Sequence, residues 1–266
     1  MMKKDEQGKV VSFFSFSGGV GKTTLVVNIA KMLAEQGKKI IVLELELLSP
    51  KYQTIFGFNP AKSIDELYMQ NYRNNLELET VDRIIKKSII TNDYGVDFII
   101  PTAPTTIEDL INRDRDYNHK DFANFIRNLL AYLRKKYELV LIDSPSITNT
   151  EIMSVLLLSD KLVYVCIPPL EDISEGIEQI KKFPESTFID PIDVIINKVP
   201  VETEKKRQIL ERKMKERLKK EKINKVRIVE LSLNYIKENV KERRIYIEKE
   251  KEKNIYQTLL NYSKEL

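Results

Sequence analysis

The 266 residues include one cysteine, Cys166, and one histidine, His119. Disulfides within the chain, zinc clusters, iron–sulfur ligation and Cys/His nucleophile pairs therefore lack their parts. Eight glycines and ten prolines leave no room for a long low-complexity linker. No run approaches the ~18 consecutive apolar residues of a membrane-spanning helix. The amino terminus, MMKKDEQGKV, carries lysines but no apolar stretch behind them, so no secretory signal is expected and a cytoplasmic location is. Chemistry falls to carboxylates, lysines, hydroxyls and a bound metal. Cys166, within VYVCIPP, reads as a small buried apolar residue, and His119 as a surface or capping residue.

What is present is a soluble, globular composition, 42% hydrophobic and 32% charged. Short apolar runs at Val10–Phe14, Ile40–Leu43, Val96–Ile100, Leu139–Ile142, Leu162–Ile167, Asp193–Ile196 and Val226–Leu231 alternate with stretches of helical period. Most lack polar alternation, as strands covered on both faces should. Between the first two runs, Leu25, Ile29, Met32 and Leu33 mark one face of a helix over Lys22–Gln36, with Gly37 at its C-cap. The expectation is an α/β fold, a single doubly wound, mostly parallel sheet flanked by helices, over residues 1–266. Residues 51–95 read as short helices and loops capping the sheet, and residues 203–225 as a basic helical insertion. Ile255, Leu259, Leu260 and Tyr262 suit a last helix packed on the core.

The segment SFSGGVGKTT, Ser15 to Thr24, joins the first strand to the first helix. In that context Gly18, Gly19, Val20 and Gly21 can turn backbone amides toward phosphate oxygens at a helix N-terminus. Lys22 supplies a compact positive charge for the β and γ phosphates, and the hydroxyl of Thr23, followed by Thr24, can ligate Mg²⁺. The common form of this loop needs glycine where Phe16 stands.

Further carboxylates end later strands. GKKIIVLELELLSP carries Glu44 and Glu46 two residues apart, so strand alternation places both on one side, facing the phosphate loop. YELVLIDSPSI closes an apolar run on Asp143 at the edge of the sheet where ligand sites lie. VIINKVP places Asn197 and Lys198 at another strand end, and Pro200 stands where the guanine motif N-K-x-D needs aspartate.

These segments together resemble the MinD/ParA family of P-loop ATPases, whose deviant Walker A loop reads KGGVGKTT. The resemblance implies ATP and Mg²⁺ as cofactors. Thr23, Glu44 and Asp143 would hold the metal, Lys22 would act at the phosphates, Glu46 would orient or activate the attacking water, and Asn197 would contact adenine. In that family the lysine before the glycine pair reaches across a nucleotide-sandwiched homodimer to the partner's phosphates. Here that residue is Ser17, so slow or partner-dependent hydrolysis is expected, and the missing lysine resembles the TadZ/CpaE branch.

Between Glu204 and Arg227 twelve Lys/Arg face four Glu, with Leu210, Met214 and Leu218 as a narrow apolar stripe. A solvated surface helix, a nonspecific DNA or anionic membrane contact through Lys205–Arg227, and a docking stripe are all open. Three functions follow as expectations: a MinD/ParA-like ATPase that localises or assembles a cellular machine, a nucleotide-binding scaffold without turnover, and a DNA-associated partitioning protein.

Overall fold

A computed structural model describes residues 7–74, 78–117, 120–146, 150–168, 170–182, 192–198, 208–209, 212–213, 215–216, 226–228 and 253–266. The strands are β1 (Lys9–Ser15), β2 (Ile40–Glu44), β3 (Ile90–Thr91), β4 (Asp97–Ile99), β5 (Leu139–Ser146), β6 (Lys161–Cys166), β7 (Ile192–Ile196) and β8 (Val226–Ile228). They form one sheet in the order β3-β4-β2-β5-β1-β6-β7-β8. Every neighbouring pair is parallel except β3–β4. All seven strands read from the sequence are therefore found. The short antiparallel β3 was not read: its two residues are too few to show a period.

The apolar runs are explained by burial on both faces. Odd-numbered residues of β1, Val11 and Phe13, enter a core with helix α1 (Lys22–Ala34) and helix α9 (Lys253–Ser263). Val10 on the opposite face packs toward α3 (Ile64–Asn74), α4 (Leu78–Ser88) and α6 (Lys120–Leu133), and Phe14 toward α8 (Leu170–Lys181). The remaining described helices are α2 (Tyr52–Phe56), α5 (Ile107–Tyr117) and α7 (Thr150–Leu156). Helix α1 ends at Ala34 with Glu35 as C-cap. Gly37, at φ 84°, lies two residues further on, where its N–H donates to the Ala34 carbonyl at 2.8 Å and closes the turn. No described helix is long and apolar enough to cross a membrane.

Helix α9 buries Leu259 and Tyr262 against α1 and the sheet. It is also tied by polar contacts: Tyr262 donates its hydroxyl to Asp193 Oδ2 at 2.8 Å, and Lys161 Nζ lies 3.0 Å from the same oxygen. Asp193 is fully buried, so removing it takes a counter-charge from Lys161 and an acceptor from Tyr262. Asp193→Ala is expected to cost about 2–3 kcal/mol in urea unfolding, below the ~3–5 of a wholly buried pair because Lys161 can still reach water. A loss within 0.5 kcal/mol, about the size of ordinary surface substitutions, would show that apolar packing alone holds α9.

Of residues 203–225, only 208–209, 212–213 and 215–216 are described; they are helical and exposed. Leu210, Met214, Leu218 and His119 lie outside the described residues.

Candidate functional site

The parallel register brings the carboxyl ends of β1, β2 and β5 together. Asp143 on β5 is the register partner of both Phe13 on β1 and Glu44 on β2. The glycine loop leaves β1 at the same level, so a lysine and two carboxylates far apart in sequence converge at one edge.

The loop is built from both of its ends. Phe16, where the common motif has glycine, stacks its edge on Phe14 at 5.9 Å and packs on Tyr164 at 5.4 Å. It anchors the rising limb to the core under α8. Ser15 donates its hydroxyl to the Ser17 carbonyl at 2.6 Å. Gly19 and Gly21 take φ of 71° and 96°, the left-handed region that glycine enters without a Cβ penalty. Gly21 is the N-cap of α1 with no side-chain capping bond and no acidic residue follows in the first turn. The first amides of α1 are thus left to an outside acceptor. Gly18 and Gly19 are exposed, with open space where a Cβ would lie.

Lys22 is 8% exposed and its Nζ donates to Ser15 Oγ at 2.6 Å. Its pKa is lowered, chiefly by burial and further by Lys51, while Asp143 and Glu46 oppose the shift. A buried ammonium that, among the described residues, donates to a neutral serine is a strong receptor for anionic oxygens.

Asp143 accepts hydrogen bonds from Thr23 and, at 3.0 Å, from the Tyr52 hydroxyl. Burial pushes its carboxyl up, against those bonds and the charge of Lys22. Glu44 is fully buried. Its Oε1 accepts from the backbone amides of Lys51 at 2.6 Å and Tyr52 at 3.3 Å, at the start of α2. Its Oε2 has no partner among the described residues. Burial, with repulsion from Asp143 and Glu46, pushes Glu44 up to about 8 despite those two bonds.

An orphaned carboxylate oxygen beside a second buried carboxylate and a threonine hydroxyl is a donor set suited to a hard divalent cation. No group of three or more His, Cys, Asp or Glu gathers as a metal cluster among the described residues. Such a cation would share its coordination with waters and phosphate oxygens, as Mg²⁺ does.

Glu46 lies two residues past the end of β2, half-buried, and accepts the Ser49 amide. Burial raises its pKa, against Lys51 and Lys22. Glu44, Glu46, Lys22, Thr23 and Asp143 are therefore brought together. Thr24 sits on α1 with its side chain exposed. Asn197 is also at the loop, but its Nδ2 donates to the Val20 carbonyl at 2.7 Å and its Oδ1 accepts the Lys198 amide at 2.8 Å. Lys51 and Tyr52 were missed by sequence reading. Their role depends on the chain folding back over β2 after Pro50, which no spacing rule announces.

Residues 8–189 match a sequence family described as an AAA domain. A virulence plasmid ParA family protein of Chlamydia psittaci is 30% identical over 188 residues, covering 70% of this chain and 67% of its own length. The septum site-determining protein MinD of Thermotoga maritima is 22% identical over 204 residues, 76% of this chain and 69% of that one. The chain thus matches about two thirds of the length of these relatives. Among solved structures, MinD from Pyrococcus horikoshii, complexed with Mg-ADP, aligns with a TM-score of 0.65 at 18% identity, covering 97% of this chain and 95% of that chain. At that identity the likeness is one of fold.

Proposed function

Because this chain belongs to the MinD/ParA family of P-loop ATPases, we propose that it binds Mg·ATP at the Ser15–Thr24 loop and uses the bound nucleotide to localise or assemble a partner structure. The observation that carries this reading is the buried Lys22 at the start of α1 with Asp143, Thr23 and the orphaned Glu44 Oε2 beside it. Backbone amides of Gly18 to Thr23 and the Lys22 ammonium would hold the phosphates. Thr23, Asp143 and Glu44 would hold Mg²⁺, which when bound neutralises charge on the β and γ oxygens. Glu46 would orient the attacking water. Residues 51–95 would close over the site through α2, whose first amides already rest on Glu44. The Mg-ADP in the Pyrococcus horikoshii MinD supports the choice of ligand.

Turnover is proposed to be slow or to depend on a partner, because Ser17 carries no charge for the transferring phosphoryl group. The same residue favours a second reading, a nucleotide-controlled scaffold that does not hydrolyse. Phosphate release under saturating Mg·ATP separates them. Glu46→Gln is expected to lower the wild-type rate about 100-fold with Mg·ATP affinity unchanged. Bound Mg·ATP with identical background rates in both proteins would end the enzyme reading and leave the scaffold. Action at a membrane or nucleoid surface would run through a protein partner or the basic segment.

A further inference from the structure

Two consecutive residues at the end of β7 hold two consecutive carbonyls of the phosphate loop. Lys198 Nζ donates to the Gly19 carbonyl at 2.6 Å, and Asn197 Nδ2 donates to the Val20 carbonyl at 2.7 Å. In a trans peptide the C=O and the following N–H point in opposite directions. Drawing the Gly19 oxygen toward Lys198 therefore turns the Val20 N–H the other way. The Asn197 bond does the same for the Gly21 N–H. These are amides of the segment that must face phosphate.

Two features of the backbone allow this contact. A Cβ on Gly21 would stand 2.3 Å from Asn197 Nδ2, so the approach requires glycine at 21. Lys198 takes φ 54°, a left-handed conformation that costs a non-glycine residue roughly 1–2 kcal/mol. The Asn197 Oδ1 accepts the Lys198 amide at 2.8 Å, which fixes the peptide that joins the two residues. The need for a restraint comes from the loop's own composition. Glycines at 18, 19 and 21 make peptide rotation cheap on both sides of Val20, and a rotated peptide would present a carbonyl to the phosphates in place of an N–H.

We propose that Asn197 and Lys198 are positioning residues that clamp the Gly19–Val20–Gly21 peptides, presetting the Val20 and Gly21 amides for phosphate. This builds on the nucleotide reading above and assigns Asn197 to the loop, where the sequence had placed it at the base. Lys198 is half-exposed, so its replacement leaves the core intact.

The clamp is tested by ¹⁵N relaxation of the nucleotide-free full-length chain, comparing wild type with Lys198→Met, Asn197→Ala and Lys198→Arg. In wild type the Val20 and Gly21 amides are expected to be as ordered as those of β1. Lys198→Met should loosen or broaden Val20 while β1 and β5 stay unchanged, and should weaken Mg·ADP binding about tenfold. Asn197→Ala should do the same at Gly21. Lys198→Arg, which keeps a charged donor, should restore both the order of Val20 and the affinity. Relaxation at Val20 and Gly21 identical in wild type and Lys198→Met overturns the clamp, whatever Asn197→Ala does. If the loop loosens but neither protein binds Mg·ADP, the clamp stands and the nucleotide reading fails.

Discussion

Lys22→Ala is expected to weaken Mg·ATP binding by at least about 100-fold, measured by titration with a fluorescent nucleotide analogue. The magnitude follows from losing a charge-assisted contact in a site shielded from water, worth roughly 3 kcal/mol. Lys22 is buried and its hydrogen bond goes to a neutral serine, so its donors are not committed to a carboxylate before a phosphate arrives. The folded state should tolerate the change. Burial already works against the ammonium, and its loss removes that penalty even as Asp143 and Glu46 lose a nearby cation. The variant should thus melt near wild type while binding poorly. Unchanged affinity would mean that the phosphates bind away from the loop.

Glu44→Gln should change how stability depends on pH. The Glu44 pKa is raised from an ordinary 4.5 to about 8 in the folded protein. Between those values the folded chain holds a proton that the unfolded chain has released, so stability falls as pH rises through that window. The full contribution is on the order of 5 kcal/mol, lost between about pH 4.5 and 8 and constant above it. Glutamine keeps an oxygen for the Lys51 and Tyr52 amides, carries no charge at Oε2, and does not titrate. Nucleotide-free Glu44→Gln should therefore lack most of this slope and exceed wild type in stability at pH 8.5. A bound cation offsets the same cost in wild type, so saturating Mg·ATP should flatten the wild-type slope as well. Parallel slopes in the two nucleotide-free proteins would contradict the buried, unpartnered state of this carboxylate.

The fold was legible because burial on both sheet faces writes itself as uninterrupted apolar runs, and each run found its strand. Lys22, Thr23 and Asp143 were legible because strand–loop–helix and strand-end positions fix what a side chain can reach. Contacts made by chain reversal were not. Tyr52 reaches Asp143 across 91 positions in sequence, and nothing near either residue announces the other. Phe16 read as a flaw in a glycine motif, yet its ring fills a place between Phe14 and Tyr164 that exists only once β1 and β6 are paired. Asn197 was placed at the right strand end. Its amide is nevertheless turned to the loop backbone, because the missing Cβ of Gly21 lets it approach, a relation between β7 and α1 that spacing does not carry.

The most direct test is a calorimetric titration of ATP into the full chain with and without Mg²⁺. One nucleotide per chain, bound in the presence of Mg²⁺, markedly weaker in its absence and lost in Lys22→Ala, is the expected result. No binding to wild type at millimolar Mg·ATP would contradict the site.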